Sequence, residues 1–127
     1  MTLYLDNVAN SLLGCLIQDP SLCLNDKYPL DKEEFLVQFH RVIYVTINEL
    51  ANMGNQTINL MDLNEFLKPY ESQYNIYLDN NGDSYIDTIT SITDIDNYES
   101  YYNQFRKMSC LREYKDNGFD IKEIYDV

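Results

Sequence analysis

The chain has 127 residues and a mass of 15.0 kDa, which is room for one ordinary domain. Apolar residues make up 45% and charged residues 24%, values typical of a folded protein rather than a disordered one. Because 9 Lys and Arg stand against 21 Asp and Glu, the net charge is −12. Such a surface repels phosphate and disfavours a general nucleic-acid-binding protein.

The residues that common catalytic motifs require are scarce. The four glycines lie too far apart for a Walker phosphate loop or a dinucleotide-binding fingerprint. His40 is the single histidine, which excludes paired-histidine zinc sites, so any Ser-His-Asp or Cys-His site would have to be built around it. We therefore predict no catalytic site and no metal site in this chain.

The cysteines and the apolar segments indicate the compartment. Three cysteines without a C-x-x-C pair favour reduced thiols over a disulfide framework. The longest apolar run, residues 12–17, is far shorter than the ~20 residues that cross a bilayer. No Lys or Arg precedes Lys27, so the basic region of a signal peptide is missing. We predict a soluble cytoplasmic protein with no membrane contact.

Apolar residues recur at helical spacing through the first half of the chain. They predict a helix over residues 7–17 and a short helical piece over residues 21–25, restarted by Pro20. In the segment 31–53, Asp31 is placed to cap a turn, and a buried helical face follows it.

The second half continues the helical pattern with one interruption. A helix is predicted over residues 60–67, stopped by Pro69, and residues 70–83 are predicted to be a loop because they mix Tyr and Ile with Asn, Asp and Gly. A short helix is expected from about Asp83, and a longer one over residues 96–114. The predicted fold is all-α.

The last of these helices carries an aromatic row, defined as Tyr98, Tyr101, Phe105, Met108 and Leu111. Spacings of three and four are those of a helix-pairing seam, and aromatics and Met are enriched where protein surfaces meet. Burial in the core of one chain explains the same spacing. Both interpretations, core and self-association, stay open from the sequence.

Basic residues concentrate on the same helix. Residues 1–105 hold 4 basic and 16 acidic groups, whereas residues 106–127 hold 5 of each. Arg106, Lys107 and Arg112 therefore form a local basic face on an acidic body. They indicate either a solvated helix face or a contact with an acidic partner.

Residues 79–87 have the oxygen-rich pattern of a calcium loop. However, Ser84 stands where a glycine permits the sharp turn, and Thr90 stands where a bidentate glutamate is needed. A polar loop leading into a helix is the alternative, and we favour it.

His40 and Arg41 lie side by side at the start of the most strongly amphipathic predicted helix. A lone histidine without a nucleophile or second ligand is typical of a structural residue. We interpret the pair as a structural motif, with the nearby acidic residues 31–34 as a charge partner.

Three segments share a further pattern in a fixed order. Residues 10–17 read NSLLGCLI before Asp19-Pro20, residues 35–44 read FLVQFHRVIY, and residues 97–112 contain N…Y…F…LR. Together they resemble the N-terminal domain of bacterial and phage replicative DNA helicases of the DnaB type.

The resemblance implies a fold, a function and partners. It implies one domain over residues 1–127: a small orthogonal helical bundle at about 7–68, a C-terminal helical hairpin at about 84–115 and the start of a linker at 116–127. The hairpin arms would be residues 85–92 and 97–115, with the aromatic row between the arms or between hairpins of two copies. It also implies a non-catalytic domain that joins other copies within a hexameric helicase and recruits primase or a helicase loader. Direct nucleic-acid binding is not expected, and ATP and Mg²⁺ are expected only in a separate motor domain.

Two alternatives to this function remain. One is a stand-alone phage replication adaptor that binds a host helicase or primase. The other is a calcium-responsive acidic protein that uses residues 79–90.

Overall fold

The computed structural model describes residues 5–116, and all regular secondary structure within that range is helical. This confirms the predicted all-α fold. The predicted linker at 116–127 lies outside the described residues except for Asp116. The helices of this range are α1 (Asp6–Gln18), α2 (Gln38–Asn52), α3 (Leu60–Leu67), α4 (Glu71–Asp79), α5 (Gly82–Ile92) and α6 (Tyr98–Asp116).

Helix α1 is the centre of the molecule. Every residue from 12 to 17 is buried, so this helix has no solvent-facing stripe over nearly two turns. A helix that is apolar on all sides must be covered on all sides. Helices α2, α5 and α6 pack around α1 and provide that cover.

A short 3-10 turn at Lys32–Glu34 precedes α2, as the position of Asp31 predicts. The Asp31 carboxylate accepts a hydrogen bond from the Glu33 N–H at 3.0 Å, and the Glu34 carboxylate accepts one from the Asp31 N–H at 3.0 Å. This reciprocal pair is a capping box, which satisfies donors that the turn itself leaves unpaired.

Helix α4 corrects the prediction of a loop over residues 70–83. Its apolar residues do not fall on one clear side of the helix, and only Tyr77 is fully buried in it. The helix forms because it packs on α2, α3 and α5, so tertiary contacts supply what local propensity does not.

Helices α5 and α6 correspond to the predicted hairpin arms at 85–92 and 97–115, but their packing differs from a hairpin in which each arm lies mainly on the other. Both helices pack principally on α1. The chain between them contains another 3-10 turn, Ile95–Asn97, and the Asp94 side chain before it accepts a hydrogen bond from the Asp96 N–H at 3.0 Å. Helices α5 and α6 thereby cover two sides of α1.

Candidate protein-interaction surface

The aromatic row of α6 faces the interior of its own protomer. Tyr98, Phe105, Met108 and Leu111 are buried, whereas Tyr101 is half-buried. The Phe105 ring lies 4.7 Å from the ring of Phe35, centroid to centroid. The row therefore contributes to the core of one chain, and a seam between two copies stays a prediction.

A neighbouring aromatic, Tyr102, is more buried than Tyr101. Its hydroxyl donates to the Pro29 carbonyl at 2.7 Å, and its ring lies 5.1 Å from Tyr28. The inward face of α6 thus includes residue 102 as well as 98 and 105. Their spacing of four and then three fits a helix as well as the spacing of the predicted row does, so spacing alone does not choose between Tyr101 and Tyr102. Tyr101 is left nearer to solvent.

Two of the three predicted partner contacts on α6 bind the 3-10 turn of the same chain. The Arg106 guanidinium forms an ion pair with the Glu34 carboxylate at 2.6 Å, and this contact keeps the pKa of Arg106 above its usual range. Arg112 donates to the Glu34 carbonyl at 2.8 Å and to Ser109 Oγ at 3.2 Å. Lys107 is exposed. The partner role of all three residues stays a prediction.

His40 is buried, and its ring lies 6.0 Å from that of Tyr85 and 6.2 Å from that of Phe39. Burial lowers the pKa of His40, and the negative charge of Asp6 opposes that shift. Arg41 does not pair with the acidic residues near it in sequence. It donates instead from Nε and Nη2 to the Phe35 carbonyl, at 3.3 and 3.1 Å.

The cysteines offer little nucleophilic chemistry. Burial is the main reason why the pKa of Cys15 and of Cys23 rises to about 12, so both are thiols at neutral pH. Cys110 is exposed, and none of these three cysteines forms a disulfide.

The candidate calcium loop forms a tight connection between two helices. Helix α4 ends at Asp79, Asn81 takes a left-handed backbone conformation with φ of 53°, and α5 already begins at Gly82. The Asp83 carboxylate accepts hydrogen bonds from Tyr77 at 2.6 Å and Asn64 at 2.9 Å, which lower its pKa. Within residues 5–116 we find no group of three or more His, Cys, Asp or Glu residues that could hold a metal ion.

A surface groove runs between α2 and the α3–α4 pair, and we call it the α2/α4 groove. Its volume is about 590 Å³. Its apolar lining includes Val42, Val45, Phe66 and Ile76. Lys32 and Arg41 line it near the start of α2, and Glu49 lines it near the end of that helix. No single segment of the sequence predicts this groove, because residues of three separate helices line it.

A comparison with family models decides the identity of this fold. The model described as "DnaB-like helicase N terminal domain" matches residues 4–107, which is most of the chain. The chain belongs to the DnaB-like helicase N-terminal domain family.

A search of curated proteins gives a concordant result. The chain is 35% identical over 116 residues to the SPbeta prophage-derived uncharacterized protein YorI of Bacillus subtilis strain 168. The alignment covers 91% of this chain but only 23% of YorI, so the chain spans about a quarter of the length of that relative. No solved structure matches the chain significantly.

The family match places the observed features within a DnaB-like N-terminal domain, the non-catalytic part of helicases of this type. It covers α1 to α5, the α2/α4 groove and the first half of α6. No helix in the described part of this domain is long and apolar enough to cross a membrane.

Proposed function

We propose that this chain is the assembly and partner-recruitment domain of a replicative DNA helicase and acts in DNA replication without chemistry of its own. The observation that carries the proposal is the family match over residues 4–107. Burial of His40 and the high pKa of Cys15 and Cys23 agree with a role in binding rather than in turnover.

In this role the domain makes two kinds of contact. Copies of it associate with one another within the helicase ring, and an exposed surface binds primase or a helicase loader. Among the residues of the predicted α6 sites, Lys107 is exposed, whereas the others are buried or half-buried.

Sedimentation velocity over a range of protein concentrations tests both contacts. We expect the average mass to rise above that of one chain as concentration increases. We also expect a further complex when the C-terminal domain of the primase from the same genome is added. A chain that stays monomeric at all concentrations and forms no complex with this primase domain would contradict the proposal.

A pair of charge reversals tests the position of the partner contact. We expect Lys107→Glu to weaken binding of the primase domain by about fivefold or more, since an attractive contact becomes repulsive. Lys68→Glu is the matched control, because Lys68 is also exposed and lies at the end of α3, away from α6. Equal effects of the two substitutions would show that α6 is not the contact.

A second candidate is a stand-alone replication adaptor encoded by a phage. The similarity to a prophage-derived protein favours a phage context, although the chain covers only 23% of that protein. The two candidates differ in whether the natural reading frame continues into a motor domain with a Walker loop, which would bind ATP and Mg²⁺. Sequencing the gene beyond codon 127 distinguishes them.

A further inference from the structure

We propose that the α2/α4 groove binds one amphipathic helix of a partner protein, and that this helix carries carboxylates at one end. The inference rests on the proposed recruitment role and adds to it a second contact surface, distinct from Lys107 on α6, and the chemistry of its ligand. Arg106 and Arg112 of α6 do not line the groove. They contact Glu34, which lies in the same 3-10 turn as the groove residue Lys32.

The shape of the groove fits a helix of about three turns. Gln38, Val42, Val45 and Glu49 line it from successive turns of α2, a distance of about 17 Å at 1.5 Å per residue. Phe66 and Ile76 provide the facing apolar wall. A partner helix with apolar residues at every third or fourth position would place one anchor on each turn of α2.

The buried hydroxyl group in the groove lining is already satisfied within the chain. Thr46 is buried there, and its hydroxyl donates to the Val42 carbonyl at 2.8 Å. Thr46 therefore offers no free hydroxyl proton to a ligand, and the amide and phenol side chains that also line the groove, Gln38, Tyr70 and Gln73, are exposed to solvent. The contact area contributed by Val42, Val45, Phe66 and Ile76 favours the apolar side of a helix over a small polar ligand.

Charge distribution defines the ends of the ligand. The first 105 residues contain only four basic residues, and two of them, Lys32 and Arg41, line the same end of the groove. Arg41 is held in place by its two hydrogen bonds to the Phe35 carbonyl. On a protein of net charge −12, this end is the place where a carboxylate of a partner meets positive charge.

The opposite end of the groove carries Glu49, which lies eight residues after Arg41 along α2. The two ends thus differ in sign over about 12 Å. A helix with acidic residues at one end and basic residues at the other fits in one direction only, so the groove specifies orientation as well as composition.

Two synthetic helical peptides of about 15 residues test the proposal with the full chain. Both carry Leu at every third or fourth position. One has three Glu at one end and the other has three Lys there. We expect the Glu peptide to bind about tenfold more tightly, which corresponds to one or two exposed ion pairs. Amide chemical shifts of the ¹⁵N-labelled chain should move along α2, α3 and α4.

Three variants locate the site. Lys32→Glu should reverse the preference between the two peptides, and Val45→Asp should abolish binding of both by placing a charge on the apolar floor. Met61→Asp is the matched control, because Met61 is 72% exposed on α3 and does not line the groove. Circular dichroism establishes that each variant keeps its helices.

Several results would overturn the proposal: equal binding of both peptides, no effect of Lys32→Glu, or shift changes confined to α6. A loss of self-association in Val45→Asp would also overturn it, because the occupant would then be a second copy of the chain. A failed peptide test with normal self-association and primase binding overturns the groove proposal alone. A chain that binds the Glu peptide but neither associates nor binds primase overturns the assembly role alone.

Discussion

At the scale of single residues, Gly14 explains why glycine occurs within a buried helix. A Cβ added at Gly14 would lie 2.7 Å from the Ile89 carbonyl oxygen and would also collide with Thr93 Oγ1. The absence of a side chain thus permits the close approach of α1 and α5. The glycine that follows Leu12 and Leu13 in the sequence motif therefore has a packing function.

We expect Gly14→Ala to lower the free energy of unfolding by about 1–3 kcal/mol, because overpacking outweighs the gain of about 1 kcal/mol in helix propensity. Urea denaturation measures the change. Ser11→Ala on the same helix is the control and should have little effect. The double variant Gly14→Ala/Thr93→Ala should recover only part of the loss, since the Ile89 carbonyl remains. Unchanged stability of Gly14→Ala would refute the close contact.

His40 makes stability depend on pH in a defined direction. Its pKa is lower in the folded protein than the usual value near 6.5, so the unfolded chain binds the proton more readily. The contribution of neutral His40 to the free energy of unfolding is therefore fully present at pH values above about 6.5, and it decreases as the pH falls below that value. Denaturation of the protein and of His40→Phe between about pH 7.5 and 5.5 should show a steeper decline in the unsubstituted protein. Parallel curves would contradict the assignment.

At the scale of elements, the burial of Phe105 makes α6 part of the core. Phe105 is 2% exposed and packs on Phe35, so we expect Phe105→Ala to cost about 3–5 kcal/mol in the free energy of unfolding. Gln104→Ala, on the exposed face of the same helix, should change it by less than about 0.5 kcal/mol. If Phe105→Ala instead kept its stability and lost only self-association, the aromatic row would face another copy.

The helices differ in how much of their structure the sequence predicts. The bounds predicted for α3 agree with Leu60–Leu67, because Asn59 caps its start and Pro69 follows its end. Helix α4 has no side-chain cap and a weak apolar pattern, and it forms on surfaces that other helices provide. Local pattern therefore predicts helices with their own start and stop signals, but not one that depends on its neighbours.

The candidate sites likewise combine features that local sequence predicts with features that depend on how helices pack. Spacing predicts the aromatic row but does not predict what covers it. In the structure, α1 and Phe35 cover it. Phe35 itself lies outside a regular helix, so helical periodicity does not identify it as a core residue. The α2/α4 groove requires the relative placement of three helices, which no single segment of the sequence contains.

At the scale of the whole molecule, the charge of −12 affects how copies meet. Acidic surfaces repel one another over about a Debye length, which shortens from roughly 14 Å at about 0.05 M salt to about 6 Å at about 0.3 M. We expect self-association in sedimentation experiments to strengthen several-fold over this range. Binding of the Glu peptide should weaken over the same range, because it depends on attraction. Self-association that weakens with salt would mean that opposite charges hold the copies together.

The central position of α1 has a consequence for synthesis on the ribosome. Residues 6–18 emerge first, but most of their cover comes from α5 and α6, which end at residues 92 and 116. The nascent chain therefore keeps a partly uncovered apolar helix until translation of the domain is nearly finished. A chain arrested before residue 82 should bind a holdase chaperone such as trigger factor and be digested readily by protease, whereas release of a chain extending well beyond residue 116 should end both behaviours.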